Sequence, residues 1–246
     1  AWKLTGNDAY RTKAQELAKT INDVFWNEQK GSYDYLVDDS GRCDAQEALG
    51  ISFALLFGIA DKEKVSRIAK STVTTKQGIP CLYPSFKRYN SYGYGRHSGT
   101  VWPHAQAFWA TAVAKTDSAA FEQELLALTH HAVRDGQFSE IYHPETGLPY
   151  GGAQEDHGHM NPDWVSQPRQ TWSATGYLRM IIHGLAGMCF QEDGIRINPT
   201  KTNCVHMLSL KGLTWHGRKV EVHIHDFDKE FYKERNFTNR QNFIFT

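Results

Sequence analysis

The chain has 246 residues, 40% of them hydrophobic, and its 27 Lys plus Arg balance its 27 Asp plus Glu. That length fits one large domain or one and a half. The balanced charge gives no signal for nucleic acid or an anionic membrane surface, and no run approaches the roughly eighteen apolar residues that cross a bilayer, so the chain reads as soluble.

The chain does not begin with Met, and its first residues, AWKLTGND, lack the basic head and apolar middle of a leader. We read it as processed or cut from something longer, with the compartment open, the periplasm or secretion included. Cys43, Cys81, Cys189 and Cys204 are widely spaced and make neither a zinc pattern nor a small disulfide scaffold.

From Asp8 to Trp26 the apolar positions Ala14, Leu17, Ala18, Ile21, Val24 and Phe25 recur at helical spacing, which predicts an amphipathic helix with one buried face. A short extended return, Tyr33–Val37, follows. A second helix is expected over Ala45–Phe57, ending at Gly58, and a third over Lys62–Lys70 with Asp61 as N-cap. Residues 73–100 carry proline and glycine punctuation together with Tyr83, Phe86, Tyr89, Tyr92 and Tyr94, and end in Arg96-His97. This pattern is a long loop, either a plain connection or one that lines a ligand.

Trp102-Pro103 opens a helix to about Ala114 that is almost wholly apolar, as a buried helix should be. Asp117 or Ser118 caps the next, which ends near Gly136. After it, FSEIYHPETGLPYGGAQEDHGHMNPDWVSQPRQTWSATGY spans Phe138–Tyr177 without a periodic pattern. A loop of such length inside a domain is usually functional or disordered, and its aromatic content argues against disorder. A further apolar helix runs from Ser173 to about Met188. The first 190 residues thus suggest about six helices packed as hairpins, with no convincing strand. From Gly194 the pattern changes to alternating strands, IRINP, CVHMLSL, GLTWHG and KVEVHIH. The expected division is a helical domain over 1–192 and a β-rich appendage over 193–246.

The order of G-x-V-W-P at a helix start, Glu140-Ile141-Tyr142, a loop with Gly151-Gly152-Ala153-Gln154-Glu155, Trp172-Ser173 at a helix start and D-G-I-R-I-N-P before the strands resembles the six-hairpin, or (α/α)6-barrel, glycoside hydrolases. The clan of trehalase and the processing α-glucosidase I family is the nearest in pattern. Thr171 and the short Gly-Gly run depart from trehalase and point away from trehalose itself. The resemblance implies a mainly α fold, helical hairpins of a toroid that is incomplete in this chain, and an oligosaccharide or glycoside substrate. It also implies that the general acid lies in an upstream half of the same polypeptide, with Asp34 and Asp44 the weak candidates inside the chain.

The same resemblance makes Glu140 the base of an inverting glycosidase acting on an α-linked glucoside or related sugar. Two carboxyl groups then stand roughly 6.5–9.5 Å apart with a water between them. The plainer reading of Glu140 is a loop glutamate. Glu155 and Asp156 orient the water or bond sugar hydroxyls, or Glu155 is itself the base; the competing reading is a solvated acidic turn. Tyr94, Arg96, Trp102 and Trp172 suit a sugar subsite, since planar groups stack on a pyranose face while arginine donates to hydroxyls. For the two tryptophans, core packing is the alternative.

His157 and His159, and His223 and His225, lack the third spaced ligand of a zinc signature, so no metal is expected. His130-His131 cannot face one way on a helix. No phosphate-binding glycine signature follows a strand, so no nucleotide cofactor is expected either. Two further functions stay open: a glycoside phosphorylase on a similar barrel, and a non-catalytic carbohydrate-binding toroid.

Overall fold

The computed structural model describes residues 1–162, 164–191, 194–225 and 227, and the backbone of Arg235–Thr238. The boundary expected near residue 192, the Asp193 that opens D-G-I-R-I-N-P and most of the last twenty residues lie outside that set. Within it the α-helices are α1 (Trp2–Thr5), α2 (Asp8–Phe25), α3 (Ala48–Leu56), α4 (Lys62–Ser71), α5 (Pro103–Val113), α6 (Ser118–Asp135) and α7 (Thr171–Arg179). The fold is mainly α with a small β-rich C-terminal region. Among the described residues no helix is long and apolar enough to cross a membrane.

Helix α5 is central. Pro103 takes its first position, and Ala105, Gln106, Ala107, Trp109, Ala110 and Val113 are all buried. A helix that is apolar almost all round has to be covered almost all round. Helices α3, α6 and α7 do so. Gly176 lets α7 come close, because a Cβ there would stand 3.0 Å from the Pro103 carbonyl oxygen. The sequence signals at helix ends hold: Asp61 accepts the Lys64 N–H, Asp117 accepts the Ala120 N–H, and Gly136 closes α6 in the left-handed conformation.

Three expectations need correction. Helix α2 forms, but none of its residues is buried, and only Ile21 and Phe25 pack against the core. Its Tyr10 and Leu17 stay exposed because nothing among the described residues covers them. Helix α3 starts at Ala48 rather than Ala45, because Gln46–Glu47 pairs with Leu82–Tyr83 as a short antiparallel ladder and Glu47 caps the helix. Helix α7 ends at Arg179, continues as a π-helix over Met180–Leu185 and gives way to a strand, Met188–Phe190. The first 190 residues also hold strand pairs of two or three residues, too short to show an alternating pattern.

In the C-terminal region, Gly194–Ile197 lies between Met188–Phe190 and Arg235–Thr238 in an antiparallel sheet. Met207–Trp215 and Arg218–His225 form a hairpin whose register shifts between Leu210 and Leu213. Its Trp215, Val220, Val222 and Ile224 join the same buried cluster as α5 and α6. His223 and His225 lie on the other face, as their alternation with these valines requires.

On α6 a carboxylate is buried without a charged partner among the described residues. Glu124 is 1% exposed, accepts the Ile79 N–H at 3.2 Å and leaves its Oε1 unpartnered. Desolvation pushes its pKa up from 4.5 to about 8. The folded protein therefore keeps a proton that the unfolded chain releases above 4.5, and stability falls as pH rises from there to about 8. Glu124→Gln is expected to remove that slope and to stabilise the protein by about 2–3 kcal/mol at pH 7, as measured by urea unfolding across the window.

Candidate functional site

Residues 139–142 are pinned from several sides. Tyr142 is fully buried and exchanges both backbone hydrogen bonds with Val101, at 3.0 and 2.9 Å. Its hydroxyl accepts the Ser139 N–H at 2.9 Å, and its ring stacks on His131 with centroids 4.4 Å apart. Next to it, Ser166 Oγ accepts the Ile141 N–H at 2.9 Å and donates to the Ile141 carbonyl at 2.8 Å. The Glu140 N–H donates to the Gln167 carbonyl at 2.9 Å. The tyrosine of E-x-Y therefore acts as an anchor, and the backbone that carries Glu140 has little room to move.

Glu140 itself is 5% exposed. Its Oε2 accepts Arg96 Nη2 at 2.8 Å and the Gln167 N–H at 3.2 Å. Arg96 also donates through Nη1 to the Gly151 carbonyl at 3.1 Å, and its guanidinium lies over the Trp102 ring at 5.4 Å and the Trp164 ring at 5.3 Å. The backbone of Arg96 is equally tied: its N–H reaches the Ala153 carbonyl, and its own carbonyl accepts Thr100 Oγ1 at 2.7 Å and Trp102 Nε1 at 2.8 Å. The glycine pair serves this approach. Gly152 has φ +76°, and a Cβ on it would fall 2.6 Å from Arg96 Cα; one on Gly151 would collide with the Trp164 carbonyl.

Beside this pair opens a cavity of about 380 Å³ whose lining includes Tyr35, Glu47, His97, Trp102, His104 and Trp172. His97 stacks on Trp102 at 4.8 Å and 16°, and Trp172 leans on both Trp102 and His104. Desolvation, then the Arg96 charge, holds the His97 pKa below its ordinary 6.5, although that ring is open on one side. Desolvation, then His97, does the same to His104. Glu140 is close enough to oppose both shifts. Both shifts favour the neutral imidazole, and the cavity is an aromatic wall with a carboxylate, Glu47, at one side.

The structure brings Glu140, Arg96, Trp102 and Trp172 into one neighbourhood. Trp102 is buried and Trp172 is 43% exposed, so the first is part of the core and the second an open wall. Tyr94 instead braces the loop: its hydroxyl donates to Glu145 at 2.7 Å, which pushes its pKa up to about 12, and its carbonyl accepts the Ala153 N–H. Glu155 and Asp156 stand exposed on the hairpin of Gln154–Asp156 and His159–Asn161. Asp34 is buried and held by Asn27 and Arg42, and Asp44 is exposed; neither lines the aromatic cavity. His131 is buried while His130 is exposed, as adjacent helix positions require.

Glu47, His104, Trp164 and Gln167 are the members that sequence reasoning missed. Among the described residues no three His, Cys, Asp or Glu side chains are grouped so as to hold a metal ion.

The model of one protein family, the mannosylglycerate hydrolase MGH1-like glycoside hydrolase domain, matches residues 3–173, a span that holds Glu140, Arg96 and the aromatic wall and ends at Trp172-Ser173. The chain belongs to that family and is a glycosidase with a carbohydrate substrate. Among curated proteins none matches the chain.

The Arg96 and Glu140 side chains are 11% and 7% exposed, so removing one partner strands a buried charge. Arg96→Met is expected to cost about 3–5 kcal/mol in urea unfolding, and adding Glu140→Gln should restore most of that loss.

Proposed function

We propose that Glu140 is the general base of an inverting hydrolysis that cleaves an α-linked glucoside or related sugar. In this reading residues 1–192 are the C-terminal half of an (α/α)6 barrel, residues 193–246 are an appendage, and the general acid comes from the upstream half of the same polypeptide.

The observation that carries the proposal is the division of labour on the Glu140 carboxylate. Both hydrogen bonds fall on Oε2. Oε1 has no protein partner among the described residues and is the oxygen left to hold a water. That water attacks the anomeric carbon as its proton passes to Glu140, while the acid protonates the departing oxygen and the anomeric configuration inverts. Arg96 holds the carboxylate in place from the far side, and the exposed Trp172, leaning on the buried Trp102, offers an apolar face to a pyranose.

Asp34 and Asp44 do not suit the acid role, because the first is consumed by its ion pair with Arg42 and the second lies outside the cavity. Glu155 and Asp156 remain proposed contacts for sugar hydroxyls, reached only if their exposed hairpin folds over a bound substrate. Water is favoured over phosphate as the attacking species because no lysine or arginine is found among the described residues lining the cavity. A phosphorylase needs such a cation. The family's own name speaks of mannosylglycerate, so mannosides belong with glucosides in the substrate panel.

In the complete enzyme, Glu140→Gln removes the base and leaves Arg96 without its counter-charge, so turnover is compared at a temperature where the variant is folded, as read by its melting curve. Turnover should fall roughly 10²–10⁴-fold while KM changes only a few-fold. Unchanged turnover would assign the base elsewhere.

A further inference from the structure

The cavity beside Glu140 carries one side chain that the hydrolytic chemistry does not use. Glu47 sits at the head of α3, where its carboxylate oxygens accept the backbone N–H groups of Leu49 and Gly50. Each oxygen gives up one lone pair to the helix, and a carboxylate offers about four acceptor sites, so about two remain. Glu47 lines the cavity together with Trp102 and Trp172, while Gln46–Glu47 is locked in register against Leu82–Tyr83. The carboxylate is thus fixed at both its backbone and its oxygens, without having spent its capacity to accept.

The charge balance around it is one-sided. Among the described lining residues there is no lysine or arginine, and His97 and His104 are the only other titratable nitrogens. Arg96, which lies over the Trp102 ring, is committed to Glu140 and the Gly151 carbonyl. A ligand group entering here meets a fixed acceptor and aromatic faces, with no lysine or arginine among the described lining residues to neutralise a negative charge.

On the reading of the cavity as a sugar site, we infer that Glu47 is a specificity-determining residue: it accepts hydroxyl donors from an uncharged sugar ring stacked on Trp172, and it excludes a ring that carries a carboxylate. Sugar hydroxyls are good donors to a carboxylate, and vicinal pairs match its two oxygens. A second carboxylate in the same cavity would face like charge without compensation.

The test is a binding measurement that needs no turnover. Methyl α-glucoside and methyl α-glucuronide share ring and linkage and differ in one carboxylate, and binding of each to the complete enzyme can be followed by calorimetry. Wild type should bind the neutral glycoside at least about tenfold more tightly, with the gap narrowing as salt is raised. Equal binding, a preference for the glucuronide, or no binding of either overturns the inference without any variant.

Glu47→Gln, which keeps a capping oxygen, should weaken the neutral glycoside about tenfold and shrink the preference to roughly threefold or less. An unchanged preference in a variant with wild-type melting behaviour overturns it as well. Because none of these arms involves Glu140, a failed base assignment shows up in turnover alone, and a failed Glu47 assignment in binding alone.

Discussion

The site depends on one constraint: two opposite charges, Arg96 and Glu140, are held 2.8 Å apart with little access to water. Taking either charge out of water alone is costly, and the pair repays that cost only if its remaining donors and acceptors find partners. The surrounding chain supplies them. Gln167 gives an N–H to the carboxylate, Gly151 gives a carbonyl to the guanidinium, and Trp102 and Trp164 lie against its two flanks. The glycines of the loop are needed because a side chain at either position would hit Arg96 or Trp164. What resembles a glycine-rich catalytic loop in the sequence is, physically, clearance for the arginine.

That arrangement stabilises a geometry more than it stabilises the fold. A buried ion pair contributes little net stability compared with apolar packing, but it fixes direction. Here the direction commits one carboxylate oxygen to Arg96 and the Gln167 N–H and leaves the other without a protein partner among the described residues. Tyr142, Ser166 and Val101 hold the backbone to match, so the carboxylate has few alternative positions. A base that must hold a water in line with an anomeric carbon benefits from such rigidity, since small misplacement is costly to the rate.

Much of this was legible in the sequence, and for local reasons. Asp61, Pro103, Asp117 and Gly136 are end signals that act within one helical turn, so they could be read without the fold. The apolar run after Trp102 could be read as a buried helix because it has no polar face. The pairing of Glu140 with Arg96 was not legible, as 44 residues separate them and the bridges of Val101 to Tyr142 and of Gly95 to Ala153 bring them together. Glu47 reads as an ordinary helix residue until its pairing with Leu82–Tyr83 delays the start of the helix to Ala48 and leaves Glu47 as its cap. Helix α2 failed in the opposite way: its periodicity is real, but periodicity shows only that a face wants cover and not that the cover is there.

The central claim, that Glu140 delivers water to the face opposite the leaving group, is tested most directly by the anomeric form of the first-released sugar. Proton NMR of an α-glucoside undergoing hydrolysis by the complete enzyme should show the β-anomer appearing first, with the α-anomer growing only as mutarotation proceeds. Initial release of the α-anomer would contradict the account, because it requires a nucleophile and a covalent intermediate in place of a base and a water.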